Sequence, residues 1–232
     1  MDRTEIKTPF FMVNTKSYLC KEKVLEIAKE ADRLAEKYDI TVFMIAPHVY
    51  LGIIQKVTNN LIITAQHVDG NYLGRGMGDT VPEFLRDVGV TAAYMNHAEH
   101  PMTLAELVQA IHRTKETGIL SVVCSDTIEE TKAIAMLNPD IILCEQTNKI
   151  ETGTLSDNDY MKKSVDTVKK INPSILVELG AGICSGEDVY KTIMAGADGT
   201  GSASQISCSD DPAAVMEDML LGVVKAREEL EL

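Results

Sequence analysis

The residues in this chain that could do chemistry stand at the ends of short apolar runs. Glu145 is the most informative, a lone carboxylate closing the run Ile141-Ile142-Leu143-Cys144. A polar loop follows, ending in Thr152-Gly153, before a helical pattern that begins near Asp157. In a strand–helix unit, the residue leaving the carboxyl end of the strand faces the ligand crevice. Burial there disfavours a carboxylate's charge and makes it a better proton acceptor, so Glu145 is a candidate general base. Asn14 and Lys16 lie two apart on another run and project to the same side. A lysine so placed can hold a phosphate or a developing oxyanion. In Asn96-His97-Ala98-Glu99, His97 sits where a strand turns toward a helix. A backbone N–H directed at one ring nitrogen would keep that imidazole neutral, able to polarise a carbonyl and pass protons between oxygens. Gly180-Ala181-Gly182-Ile183 and Ala203-Ser204 offer small residues beside which backbone N–H groups can approach a phosphate. Taken singly, each has an ordinary reading as a loop or surface residue. The elements that position them decide between the two.

Apolar runs at 9–14, 41–46, 61–65, 91–95, 120–124, 141–144, 175–179 and 199–202 read as strands. Helical patterns follow at 21–37, 50–57, 82–88, 103–116, 127–137, 158–171, 187–195 and 212–229. Thr103 with Glu106, and Thr127 with Glu130, have the spacing of a capping box. No linker, low-complexity tract or charge block interrupts the alternation. Continuous apolar strands alternating with amphipathic helices predict a parallel sheet covered by helices. Eight such units in a chain of 232 residues predict an α/β fold, a closed (β/α)8 barrel forming a single domain over 1–232, with the site at the βα loops. A doubly wound open sheet is the alternative.

With 45% hydrophobic residues the chain can bury a sizeable core. A formal net charge of −13 argues against a nucleic-acid partner, which would need a basic stripe. No apolar run reaches membrane-spanning length, and Met1-Asp2-Arg3-Thr4-Glu5 lacks a signal-peptide core. Five cysteines, an odd number without C-x-x-C spacing, imply reduced thiols in a cytoplasm. Cys124, Cys144 and Cys184 read as small fillers, not nucleophiles. His48, His67, His100 and His112 are scattered without metal-ligand spacing, so neither metal nor cofactor is expected.

In register over nearly the whole chain, this set resembles the triosephosphate isomerases, most closely the short archaeal form. The matching segments are Asn14-Thr15-Lys16, Ala65-Gln66-His67-Val68 with the glycine loop after it, Asn96-His97-Ala98-Glu99, and Glu145 with Thr152-Gly153. Gly180-Ala181-Gly182-Ile183, Gly186-Glu187-Asp188-Val189 and Ala197-Asp198-Gly199 complete them. The resemblance implies that Lys16 and Asn14 bind substrate and stabilise an enediolate, with Glu99 a supporting carboxylate. It makes His97 the neutral electrophile and Glu145 the base, a division of labour for which triosephosphate isomerase is itself the type case. Gly182, Ala203 and Ser204 would meet the phosphate, as would the lid residues Ile150 and Glu151. It also implies a homodimer or homotetramer built through the loop around Gly74–Gly78.

The departures from the family pattern are specific. Gln146 stands where a proline stiffens the lid, and Glu151 where a glycine N–H meets the phosphate. Ala98 replaces a serine, Met77 a threonine, and Glu178 an apolar residue, while Gly201 falls where a bulky side chain clamps the base. A carboxylate at Glu151 should repel a phosphate unless it swings out or pairs with a cation such as Lys149. Three functions follow as alternatives. One is interconversion of glyceraldehyde 3-phosphate and dihydroxyacetone phosphate. Another is the same chemistry on a different phosphorylated ketose, such as a tetrulose phosphate. The third is a sugar-phosphate-binding barrel that has lost turnover.

Overall fold

The computed structural model describes residues 6–231. Eight parallel strands pair in sequence order and close on themselves: β1 (Phe10–Asn14), β2 (Val42–Ala46), β3 (Leu61–Ala65), β4 (Ala92–Met95), β5 (Leu120–Ser125), β6 (Ile141–Cys144), β7 (Leu176–Leu179) and β8 (Gly199–Ser202). The closed barrel, not the open sheet, is the architecture. Around it run α1 (Lys21–Tyr38), α2 (His48–Gln55), α3 (Pro82–Asp87), α4 (Leu104–Thr117), α5 (Ile128–Ala135), α6 (Asn158–Ile171), α7 (Gly186–Met194), α8 (Ser204–Ser207) and α9 (Pro212–Glu229). Both capping boxes form, Thr103 with Glu106 at α4 and Thr127 with Glu130 at α5. Such caps are typically worth about 1 kcal/mol each.

Two short elements escape the sequence pattern, α8 and a 3-10 turn at Thr147–Lys149, because three or four residues are too few to show a period. The helix expected at 50–57 instead spans His48–Gln55. Pro47, at its N-cap, ends the strand and lets the helix begin at once, since no intrahelical N–H is asked of it there.

Strand alternation sorts side chains into two cores. Phe11, Val13, Met44, Ile63, Met95, Ile142 and Val177 point outward into the shell beneath the helices. Phe10, Met12, Phe43, Ile45, Tyr94, Val122, Cys124, Ile141 and Leu143 fill the barrel interior. Burying each large side chain contributes roughly 1.5–3 kcal/mol. The inward parity carries upward from these residues. On β1 it runs through Phe10, Met12 and Asn14, on β6 through Ile141, Leu143 and Glu145, and on β7 through Leu176, Glu178 and Gly180. Hydrophobic packing below therefore fixes where the polar groups above must point.

Gly201 does not leave the roomy clamp that its small size implies. A Cβ there would lie 2.5 Å from the Met12 carbonyl oxygen and 2.6 Å from Met12 Cβ. Strand β1 has closed into the place a bulky residue would need.

Candidate active site

At the carboxyl ends of the strands, one cavity is lined by Asn14, Lys16, His97, Glu145, Gly182 and Ser204, together with Ile150, Glu151 and Ala203. Lys16 has a left-handed backbone with φ of 40°, held by its N–H donating to Asn14 Oδ1 at 2.8 Å and its carbonyl accepting from Gln66 Nε2 at 2.9 Å. Such a conformation is costly for a side chain with a Cβ and persists only where its surroundings fix it. Its ammonium reaches Glu99 Oε1 at 2.7 Å. Glu99 is itself more than half exposed and lines the adjoining cavity, not the one that holds Glu145.

Asn96, also left-handed with φ of 58°, turns the chain after β4 and aims His97 inward. Its side chain donates to the Cys124 carbonyl and accepts from the Met102 N–H, both at 3.1 Å. The Glu99 N–H donates to His97 Nδ1 at 3.1 Å. That contact commits Nδ1 as an acceptor and leaves Nε2 as the ring's single N–H. Nε2 lies 3.5 Å from Glu145 Oε2. The local turn therefore sets Nε2 of the ring toward the Glu145 carboxylate.

Glu145 is located by a glycine. A Cβ at Gly180 would stand 2.8 Å from Glu145 Oε1, so the carboxylate rests on bare backbone. The lid then crosses the rim, its Thr147 N–H accepted by Asp126 Oδ1 at 3.0 Å. The lid lands on Gly182, whose φ is +73° and whose Cβ would lie 2.2 Å from the Thr154 carbonyl oxygen. Only glycine meets both demands.

The two lid departures retain the backbone shapes of the residues they replace. Gln146 has φ of −69°, the value a proline ring would impose. Its Oε1 is buried without a hydrogen-bond partner. Glu151 has φ of 61°, the left-handed region where glycine is at ease. Its carboxylate accepts a hydrogen bond from the hydroxyl of Tyr18, in the loop after β1. That bond, with some burial, pushes the Tyr18 phenol well above its ordinary range. The expected partner, Lys149, is therefore replaced by a neutral hydroxyl across the barrel mouth. Nothing in the sequence singled out Tyr18, because its partner lies far along the chain.

Beneath this layer lies Glu178, 4% exposed and the one buried acidic side chain among the described residues. Tyr94 donates to its Oε2 at 2.8 Å. Burial pushes the Glu178 carboxyl up to about 8, and the neighbouring Glu145 adds to the rise. Tyr94 lies on the inward face of β4, and nothing in the sequence marks it for a polar role. Cys124 and Cys144 are buried fillers, and burial pushes both thiols up. The histidines scattered in sequence do not stay apart: the His67 and His100 rings stack 3.9 Å apart, and His48 Nε2 lies 2.7 Å from the His67 carbonyl oxygen. No group of three or more His, Cys, Asp or Glu side chains suited to a metal occurs among the described residues. No helix among them is long and apolar enough to cross a membrane.

Comparison with known proteins agrees with this geometry. The triosephosphate isomerase family model matches residues 9–217. A protein of Sulfurisphaera tokodaii named triosephosphate isomerase is 32% identical over 226 residues, covering 95% of this chain and 98% of its own. Proteins of the same name from Metallosphaera sedula and Methanobacterium bryantii are 33% and 32% identical. These alignments cover 97% and 93% of this chain and 100% and 98% of the relatives. A match of this extent, falling on a closed barrel with a glutamate, a histidine and a lysine at the strand ends in one cavity, means that the chain belongs to the triosephosphate isomerase family.

Proposed function

We propose that this chain interconverts glyceraldehyde 3-phosphate and dihydroxyacetone phosphate through an enediolate. The approach of His97 Nε2 to Glu145 Oε2, 3.5 Å across a cavity lined by Lys16, carries the reading. Glu145 takes the proton from the carbon beside the carbonyl and returns it to the neighbouring carbon. His97, its Nδ1 engaged by the Glu99 N–H, uses Nε2–H to polarise the carbonyl and move protons between the two oxygens. The Lys16 ammonium stabilises the developing oxyanion, and Glu99 and Asn14 hold that lysine in position. The backbone at Gly182, Ala203 and Ser204 takes the phosphate, and the lid at Ile150 and Glu151 closes over it. Drawing the Glu151 carboxylate to Tyr18 lessens its repulsion of the phosphate. The relatives' shared name supports the choice of substrate.

We also propose a homodimer or homotetramer. Tyr72 stacks under the Arg113 guanidinium, 3.9 Å from its ring centre, and anchors the glycine loop. At the loop's tip Met77 is 98% exposed, an adaptable apolar contact for a second copy. The odd cysteine count supports a cytoplasmic setting.

A coupled assay of the purified protein with either triose phosphate tests the activity. Glu145→Gln removes an interaction made in the transition state, so turnover should fall by about three orders of magnitude or more while phosphate binding persists. A variant keeping a tenth of wild-type turnover, a loss of only ~1.4 kcal/mol, would overturn the assignment of the base.

A further inference from the structure

The polar pair in the barrel interior has no task in the triose reaction. In the proposed mechanism the oxygens of a triose phosphate fall to His97, Lys16 and Asn14 on one side and to the phosphate loops on the other, which leaves Glu178 and Tyr94 unassigned. Glu178 lies two residues below Gly180 on β7, roughly 6–7 Å deeper, yet it lines the same cavity as Glu145. Tyr94, on β4, lines it from the opposite part of the barrel. The surrounding floor is Ile45, Leu143 and Met12, whose Sδ lies 2.7 Å from the Tyr94 hydroxyl and shares it with Glu178. Tyr94 is the sole hydrogen-bonding partner of the Glu178 carboxyl among the described residues. Oε1 takes no bond from the protein and is not sealed away from the cavity. A buried carboxyl half-paired in an apolar floor costs stability unless something pairs it.

We propose that Glu178 and Tyr94 form a polar subsite in the cavity floor that takes a hydroxymethyl group, so that the enzyme also isomerises a tetrulose phosphate. In that substrate a hydroxymethyl group replaces the aldehyde hydrogen of the triose, on the reacting carbon farther from the phosphate. This inference rests on the isomerase reading of the site. With the Tyr94 hydroxyl donating to Oε2, the un-ionised acid presents an O–H donor and free lone pairs to the added hydroxyl. Burial, which holds the carboxyl protonated at neutral pH, supports this role. The reaction balances without a co-reactant. Glu145 takes the proton from the hydroxyl-bearing carbon beside the carbonyl and returns it to the former carbonyl carbon. The hydroxyl proton passes by way of His97 to the former carbonyl oxygen. The carbonyl moves one carbon along the chain, toward the phosphate or away from it.

The test is kcat/KM of the purified full chain on glyceraldehyde 3-phosphate and on tetrulose 4-phosphate of each configuration. Wild type should convert both the triose and one tetrulose. The ratio of tetrulose to triose kcat/KM should fall at least tenfold in Glu178→Leu and in Tyr94→Phe. In Glu178→Gln, whose amide can still donate and accept, the ratio should stay within about threefold of wild type. Should Glu178→Leu fail to fold, Tyr94→Phe removes a single oxygen and carries the test alone. Triose turnover without tetrulose turnover, or a ratio unmoved by both Leu and Phe, would overturn the subsite and leave the isomerase reading intact. Turnover of neither substrate would instead defeat that underlying reading.

Discussion

Replacing Glu178 with glutamine tests the state of the buried carboxyl without reference to catalysis. The side chain's folded value is about 8, raised first by burial, against an ordinary 4.5. The folded protein therefore holds a proton that the unfolded chain releases. The contribution of Glu178 to stability is fully present below pH 4.5 and is lost as pH rises toward 8. Each unit of that window is worth 1.36 kcal/mol. Glu178→Gln cannot ionise, so its stability relative to wild type should climb by about 1.4 kcal/mol per pH unit and level off near pH 8, at about 5 kcal/mol in all. That is comparable to the whole stability of a marginal domain. The groups facing Glu178 do not blur the window. Tyr94 on β4 and Cys124 on β5 are both pushed well above their ordinary values by burial. Met12 on β1 is apolar, and Glu145 at the end of β6 acts in the same direction as burial. Urea unfolding of both proteins from pH 5 to 9 measures the difference directly. Parallel stability curves, or a gap that narrows as pH rises, would refute the buried neutral acid.

Gly180→Ala should lower kcat by roughly a hundredfold with a far smaller change in KM, because the new Cβ falls 2.8 Å from Glu145 Oε1 and displaces the base; a variant at wild-type kcat would show that the glycine does not locate it. Tyr18→Phe releases the Glu151 carboxylate, so KM for a phosphorylated substrate should rise, more at low than at high ionic strength. A salt-independent KM would argue against that account. Glu151→Gly removes both the charge and an unfavourable left-handed side chain, and apparent affinity should improve, again most at low salt. Met77→Asp should shift sedimentation toward the monomer at micromolar concentration; a wild-type protein that is already monomeric and fully active would defeat the proposed assembly.

The alternation of apolar runs and helical periods determined the barrel, because eight buried strands each followed by an amphipathic helix have few other ways to cover both faces. It also determined which residues stand at the strand ends: the inward parity of β1 and β6 makes Asn14, Lys16 and Glu145 readable there, whereas His97 is out of step with Tyr94 and is aimed inward by the turn at Asn96. Glu99 was readable too, but only the fold moved it to the neighbouring cavity as a partner of Lys16. Distances between strands are another matter. That Glu151 meets Tyr18 and not Lys149 depends on the lid crossing the barrel mouth, a contact 133 residues apart in the chain. That Gly201 has no room for a side chain depends on how closely β1 approaches β8, which no single strand encodes. Glu178 marks the division most sharply. The sequence announced a carboxyl on an inward strand position, but its burial, its hydrogen bond from Tyr94 and its proton follow only from closure of the barrel around it. A group's charge state is set by everything within a few ångströms, and that neighbourhood is assembled from four strands at once.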